Sequence, residues 1–279
     1  MFIENTESPI REIPFPSIMI CPSSQIRKSV WDKYMDTNSS YWDNLIIYRD
    51  MTCSTNTYSR ELDQSLKEYI DKNLIKTLLH DCGISCSEVF QSDGKWQNTT
   101  LDNVCQYIQP ILGIFGISFY NPADYYSVTP RKFITPDTYT KIQITPFVKK
   151  INSDLKWRSL EIRQCYFHNE RQLSIFQQYT ELNCNHECEI NKTISMCGCI
   201  MIEGAFLGTD GLKICGPAKV NCVLDAIHST KFPENQMVCN CLPTCSMIDY
   251  EVTDTSHFDD WNYLKLTNLV KNKCVIVNK

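Results

Sequence analysis

Ten of the sixteen cysteines fall between Cys165 and Cys245, in the order R-x-C-x-F-x-x-E, N-C-x-x-x-C, C-G-C, two single cysteines, then C-x-C-L-P-x-C. Thiols at this density either hold metal, form a reduced sulfur-rich patch, or close disulfides. Zinc sites use matched C-x2–4-C pairs, often mixed with histidine. The close pairs here are Cys197-Gly-Cys199, Cys239-Asn-Cys241 and C-x-x-x-C steps, which make no repeated knuckle. Only five histidines are present, and none has metal-ligand spacing to another. The even cysteine count and three glycosylation sequons, at Asn38, Asn98 and Asn191, favour an oxidising, extracellular setting. The expected chemistry is therefore disulfide formation, with no metal site and no cofactor.

Other reactive patterns are missing. There is no G-x-S-x-G, no H-E-x-x-H and no glycine-rich phosphate loop, so no catalytic residue is assigned and an enzyme is not expected. His168 lies close to Glu170, and His186 lies between Cys184 and Cys188; both read as surface or structural groups. Tyr120, Tyr125 and Tyr126 could form a ligand surface, but aromatic packing is the simpler reading. A net charge of −5 without a basic run argues against nucleic acid as a partner.

The elements that must position the thiols can be read in outline. Residues 9–21 alternate and then turn apolar, as a strand entering a core, with Pro14 and Pro16 keeping it at an edge or kink. Leu62, Leu66, Ile70, Leu74 and Leu78 step by four, which predicts a helix over 59–80, with Cys82 and Cys86 just beyond it. The stretch 98–136 is turn-rich, and 139–163 alternates well enough for two strands. Leu173, Phe176, Thr180, Cys184 and Cys188 step by three or four, predicting one helix face with Cys184 and Cys188 a turn apart. Cys239 and Cys241 share one side of an extended segment. Cys197 and Cys199 are too close to bond each other easily, so each should take a separate partner.

At 279 residues the chain can bury a sizeable core without bridges, so the disulfides serve stiffness rather than compensating for small size. Residues 1–20 show no signal-peptide pattern, and the most apolar stretch, 111–119, is far shorter than a membrane span. An extracellular composition without a visible route outside suggests the ectodomain of something longer.

Taken in order, these residues closely resemble the ectodomain of the degenerin/epithelial sodium channel (DEG/ENaC) superfamily, the insect pickpocket branch above all. The resemblance begins at Ile13-Pro14-Phe15-Pro16-Ser17-Ile18-Met19-Ile20-Cys21 and passes through Cys82, Cys86, Cys105 and Asn121-Pro122-Ala123-Asp124-Tyr125. It is strongest from Arg163 to Cys245 and reaches Tyr250. It implies an α+β, disulfide-rich fold: a central β palm and β-ball with peripheral helical finger, thumb and knuckle. Palm strands would lie near 10–21, 139–163, 246–256 and 273–279. The finger would span about 22–120, the cysteine-rich thumb 165–245 and a knuckle helix about 259–270.

The resemblance also implies the pairings Cys21–Cys105, Cys82–Cys86, Cys165–Cys245, Cys184–Cys241, Cys188–Cys239, Cys197–Cys222 and Cys199–Cys215. Cys53 and Cys274 are left over. The sequence departs from the family pattern at Asn103–Gln109, at Ile200–Gly204, which lacks an expected proline, and at Arg163, where acid-sensing members carry tryptophan. Both membrane helices are absent from these residues. The implied function is the extracellular sensing part of an amiloride-sensitive-type, sodium-selective channel subunit at the plasma membrane. It would work in a homo- or heterotrimer, with an extracellular ligand or matrix tether as further partner. The rival reading is a secreted, disulfide-rich binding protein with such an ectodomain and no channel.

Overall fold

A computed structural model describes residues 13–21, 26–34, 43–45, 47–48, 68–82, 94–96, 99–101, 105, 116–125, 139–207, 211–231 and 239–258. Four two-stranded antiparallel sheets and five α-helices are distributed over them. Strand β1 (Ser17–Cys21) pairs with β5 (Gly116–Tyr120), and β2 (Tyr69–Ile70) with β7 (Ile214–Cys215). A small hairpin joins β3 (Gly94–Trp96) to β4 (Thr99–Leu101). The longest pair is a ribbon of β6 (Tyr139–Lys150) and β8 (Ser246–Phe258), with a bulge at Gln143/Ile144. Pro146 sits in β6, a place proline tolerates because one flank of each strand in a two-stranded ribbon needs no donor.

The helices are α1 (Lys28–Tyr34), α2 (Lys72–Cys82), α3 (Leu160–Arg163), α4 (Glu181–Cys197) and α5 (Val220–Lys231). In α2, Ile75, Leu78, Leu79 and Cys82 are buried at helical spacing. The helix predicted over 59–80 starts later than its leucine period suggests. Asp71 accepts the Asn73 N–H at 2.9 Å and starts the helix there, while Tyr69 and Ile70 are drawn into a strand against the bridged Ile214–Cys215. Residues 59–67 lie outside the described residues.

Two further expectations are corrected. The helix face predicted from Leu173 onwards begins only at Glu181. Thr180 is extended and its Oγ1 accepts the Asn183 N–H at 3.0 Å, so it caps α4 rather than continuing a helix through it. The second strand expected within 139–163 is replaced by a 3-10 turn, Ser153–Trp157, and α3. There the Asn152 side chain accepts the Asp154 N–H at 2.7 Å and turns the chain before pairing can resume. At its other end α4 stops at Gly198, whose φ of 70° is the left-handed cap that glycine adopts without strain.

Two cores follow. The larger joins α1, Leu45, Ile47, Tyr48 and α2 to α4, α5 and the chain between them, through Ile75, Leu78, Ile190, Ile200, Ile214 and Val223. The smaller sits on the ribbon, where Ile13, Phe119 and Tyr250 gather Ile18, Ile144, Val148, Ile248 and Val252. The Tyr250 hydroxyl donates to the Pro14 carbonyl at 2.5 Å, tying the residues before β1 to β8. The expected knuckle helix (259–270) and last palm strand (273–279) lie outside the described residues.

Candidate functional site

Everything between Lys150 and Ser246 is an insertion between the two strands of one ribbon, and it is closed at its base. The Ile151 N–H donates to the Cys245 carbonyl at 2.9 Å, and Cys165 bonds Cys245 across a Cα separation of 5.0 Å. Tyr166 and Cys245 complete the seam, the Tyr166 N–H donating to Pro243 O and the Cys245 N–H to Tyr166 O. Here the R-x-C-x-F-x-x-E motif explains itself. Arg163 meets Glu170 in a two-pronged pair, Nη1 to Oε1 at 2.9 Å and Nη2 to Oε2 at 2.7 Å, with the guanidinium over the Phe167 ring. The Phe167 N–H adds a third donor to the same carboxylate. Burial raises the Glu170 pKa, but the Arg163 and Phe167 bonds and the charges of Arg163 and Lys156 outweigh it, so the group lies below the ordinary glutamate value.

Above the base the bridges form a ladder. Cys184 and Cys188, one turn apart on α4, bond Cys241 and Cys239, each with Cα atoms 5.7 Å apart. Asn240, between the two receiving cysteines, has φ 46°, so the segment is a tight loop rather than the expected strand. Arg171 holds that loop. Its guanidinium donates to the Cys239 and Asn240 carbonyls and stacks on Tyr166 and Tyr179. The Tyr179 hydroxyl donates to Leu242 O at 2.6 Å, and burial raises its pKa. At the far end Cys197 bonds Cys222 on α5, and Cys199 bonds Cys215 in β7.

Buried polar groups on α4 fasten its neighbours. Glu187 accepts the N–H groups of Ser174 and Ile175, at 3.0 and 2.7 Å, which holds the stretch before α4 out of the helix. Asn183 donates to Ala123 O and Gln178 O and accepts the Tyr125 N–H at 2.6 Å. The 121–125 segment is thereby strapped to the bridged unit, with the Tyr125 ring against Phe176 and edge-on to His186. A second attachment is made by β2. Tyr69 and Ile70 pair with Cys215 and Ile214, the Gly216 N–H donates to Glu68 O, and Lys213 and Lys219 lie over the Tyr69 ring. The bridged unit is rooted between β6 and β8, and the 121–125 segment and β2 attach to it. Among the described residues no three His, Cys, Asp or Glu side chains converge as a metal site would, and no helix is long and apolar enough to cross a membrane.

A family model described as amiloride-sensitive sodium channel matches residues 2–117 and 113–278. The chain belongs to the amiloride-sensitive sodium channel family. It is 26% identical over 293 residues to Pickpocket protein 11 of Drosophila melanogaster, an alignment covering 92% of this chain and 50% of that protein. It is 29% identical over 125 residues to the sodium channel protein Nach of Drosophila melanogaster, covering 45% of this chain and 23% of that protein. Against Nach of Drosophila ananassae the identity is 22% over 315 residues, covering 90% and 60%. The chain thus spans about half the length of the pickpocket relative it matches. The recognised superfamily and its insect branch are those of these relatives.

Cys105 is disulfide-bonded, while the side chain of Cys21 lies outside the described residues. Cys82 ends α2 with its side chain buried, and Cys86, Cys53 and Cys274 lie outside them. Asn38 and Asn98 also lie outside; Asn191 is exposed on α4, where Thr193 is buried and donates to Glu189 O. His168 is exposed, and Tyr126 lies outside the described residues. Sequence reasoning missed Glu187, Asn183 and Arg171. Buried acids, amides and guanidinium stacks carry no spacing signature; only the Arg163–Glu170 pair stood inside a visible motif.

Proposed function

We propose that this chain is the extracellular sensing domain of a trimeric, sodium-selective channel subunit of amiloride-sensitive type, working at the plasma membrane. The observation that carries the reading is the insertion of a five-bridge unit between the strands of one ribbon. In these terms the β6–β8 ribbon with β1 and β5 is the palm, 165–245 the thumb, and α1, α2 and β2 part of the finger side. Each bridge raises the cost of melting the thumb, so a stimulus acting where β2 or the 121–125 segment docks is passed to the ribbon as movement of a rigid body. The stimulus, an extracellular ligand or matrix tether, must bind the open and closed states unequally. Sugars on Asn38, Asn98 and Asn191 complete the extracellular picture, and the domain performs no enzymatic step.

The test is sodium current in cells expressing the full subunit, alone and with other subunits, with amiloride as blocker. Sodium-selective current that is altered by Arg163→Ala without loss of surface expression supports this rigid-body coupling. A subunit that reaches the surface and carries no current in any combination removes the channel reading in favour of a secreted-type binder.

A further inference from the structure

Five large apolar side chains are exposed among the described residues, and three of them fall in the corner of the chain formed by residues 147–162, between the end of β6 and Cys165: Phe147 at 49%, Trp157 at 88% and Ile162 at 67%. The same corner is basic. Residues 149–162 contain Lys149, Lys150, Lys156 and Arg158 against Asp154 and Glu161, a local excess of two positive charges in a chain whose net charge is −5. Its exposure is built in rather than a product of slack. The Leu155 N–H bonds Asn152 O, the Arg158 N–H bonds Leu155 O and the Ile162 N–H bonds Ser159 O, in a stretch that runs from Ile151, bonded to Cys245 O, to Cys165, bridged to Cys245. The corner also follows directly on the ribbon that meets the residues before β1. Ile13 shares a cluster with Phe119 and Tyr250 on which Val148 and Ile248 also pack, and Pro14 is held by Tyr250, so the residues before β1 reach the ribbon.

A protein partner would be met by an apolar core depleted in charge and rimmed by polar groups. This corner has the opposite texture, with Trp157 flanked on both sides by cations and Ile162 by Glu161 and Arg163. Indole rings interleaved with lysine and arginine suit a lipid headgroup layer, where the ring spans the polar–apolar boundary and the cations meet phosphates. We propose that this corner rests on the headgroup layer of a bilayer, Trp157 and Ile162 entering it and Lys149, Lys150, Lys156 and Arg158 contacting lipid phosphates. The inference rests on the reading above, in which the chain works beside membrane-spanning segments.

The test is co-flotation of the oxidised 279-residue chain with vesicles of phosphatidylcholine, and of phosphatidylcholine with phosphatidylserine. Flotation with both is expected, stronger with phosphatidylserine. Trp157→Ser should weaken it about tenfold on both vesicle types. Lys156→Gln with Arg158→Gln should weaken it about thirtyfold on the anionic vesicles. Both substitutions are at exposed positions, and peptide mapping of the five bridges reports whether each variant has folded. Absence of flotation with either vesicle overturns the proposal, as does undiminished flotation of folded Trp157→Ser. Flotation by a chain whose full subunit carries no sodium current sinks the channel reading and leaves this surface standing. An intact current without flotation does the reverse.

Discussion

Tyr69 is the cross-strand partner of Cys215, and Cys215 is bonded to Cys199 at the end of α4. A two-residue strand from the first third of the chain is therefore fixed to the covalent frame of the bridged unit. Burial of Ile70 against Ile214 supports the contact, with both side chains nearly inaccessible.

Ile70→Ala should accordingly loosen this junction without breaking a bridge. The expected cost is about 2–4 kcal/mol. It should be concentrated locally, as faster hydrogen exchange at Ile214, Cys215 and Gly216, with little change on the β6–β8 ribbon. Uniformly faster exchange across the whole domain would show that β2 is part of a single cooperative core and not a separable docking point.

The Arg163–Glu170 pair gives the domain an acid-sensitive root. The Glu170 pKa lies below its unfolded value near 4.5, so folding favours the ionised form. Its stabilisation is whole above about pH 4.5 and is lost as the pH falls through the folded value. Both side chains keep contact with water, 8% exposed for Arg163 and 26% for Glu170, so screening should hold the effect to about 1 kcal/mol. Thermal unfolding followed between about pH 6 and pH 3 should show the parent chain converging on Glu170→Gln. Parallel curves over that range would mean that the carboxylate is not selectively stabilised by Arg163.

The nested bridges should be partly redundant. With Cys184–Cys241 closed, Cys188–Cys239 only tightens a small remaining ring, because its partners lie four and two residues further in. Removing Cys188–Cys239 alone should cost about 2 kcal/mol, and removing both about twice that or more. Denaturant unfolding of the double-serine and quadruple-serine variants measures this directly. Equal losses from the two would contradict this, because they would mean that Cys184–Cys241 contributes nothing once Cys188–Cys239 is gone.

Legibility in the sequence divided along physical lines. The thiol rungs on α4 were readable because helical spacing places Cys184 and Cys188 on one face whatever surrounds them. The start of α4 was not, because the period in Leu173 and Phe176 continues past a break made by Thr180 capping and the Glu187 carboxylate. The leucine period before Lys72 likewise concealed a strand, since pairing with Cys215 depends on a partner more than a hundred residues away. Alternation through 163 suggested a second strand, but the Asn152 turn is set by one local hydrogen bond that alternation does not register. The motif holding Arg163 and Glu170 was visible as letters, while its role needed the two side chains to be seen meeting.

A domain of a channel subunit and a secreted binder differ in what flanks these residues. Sequencing the transcript across both ends of the chain separates the two. For a channel subunit, an apolar stretch of about 20 residues is expected before Met1 and another after Lys279. A cleavable secretory leader upstream and a stop codon directly after Lys279 would contradict the channel reading.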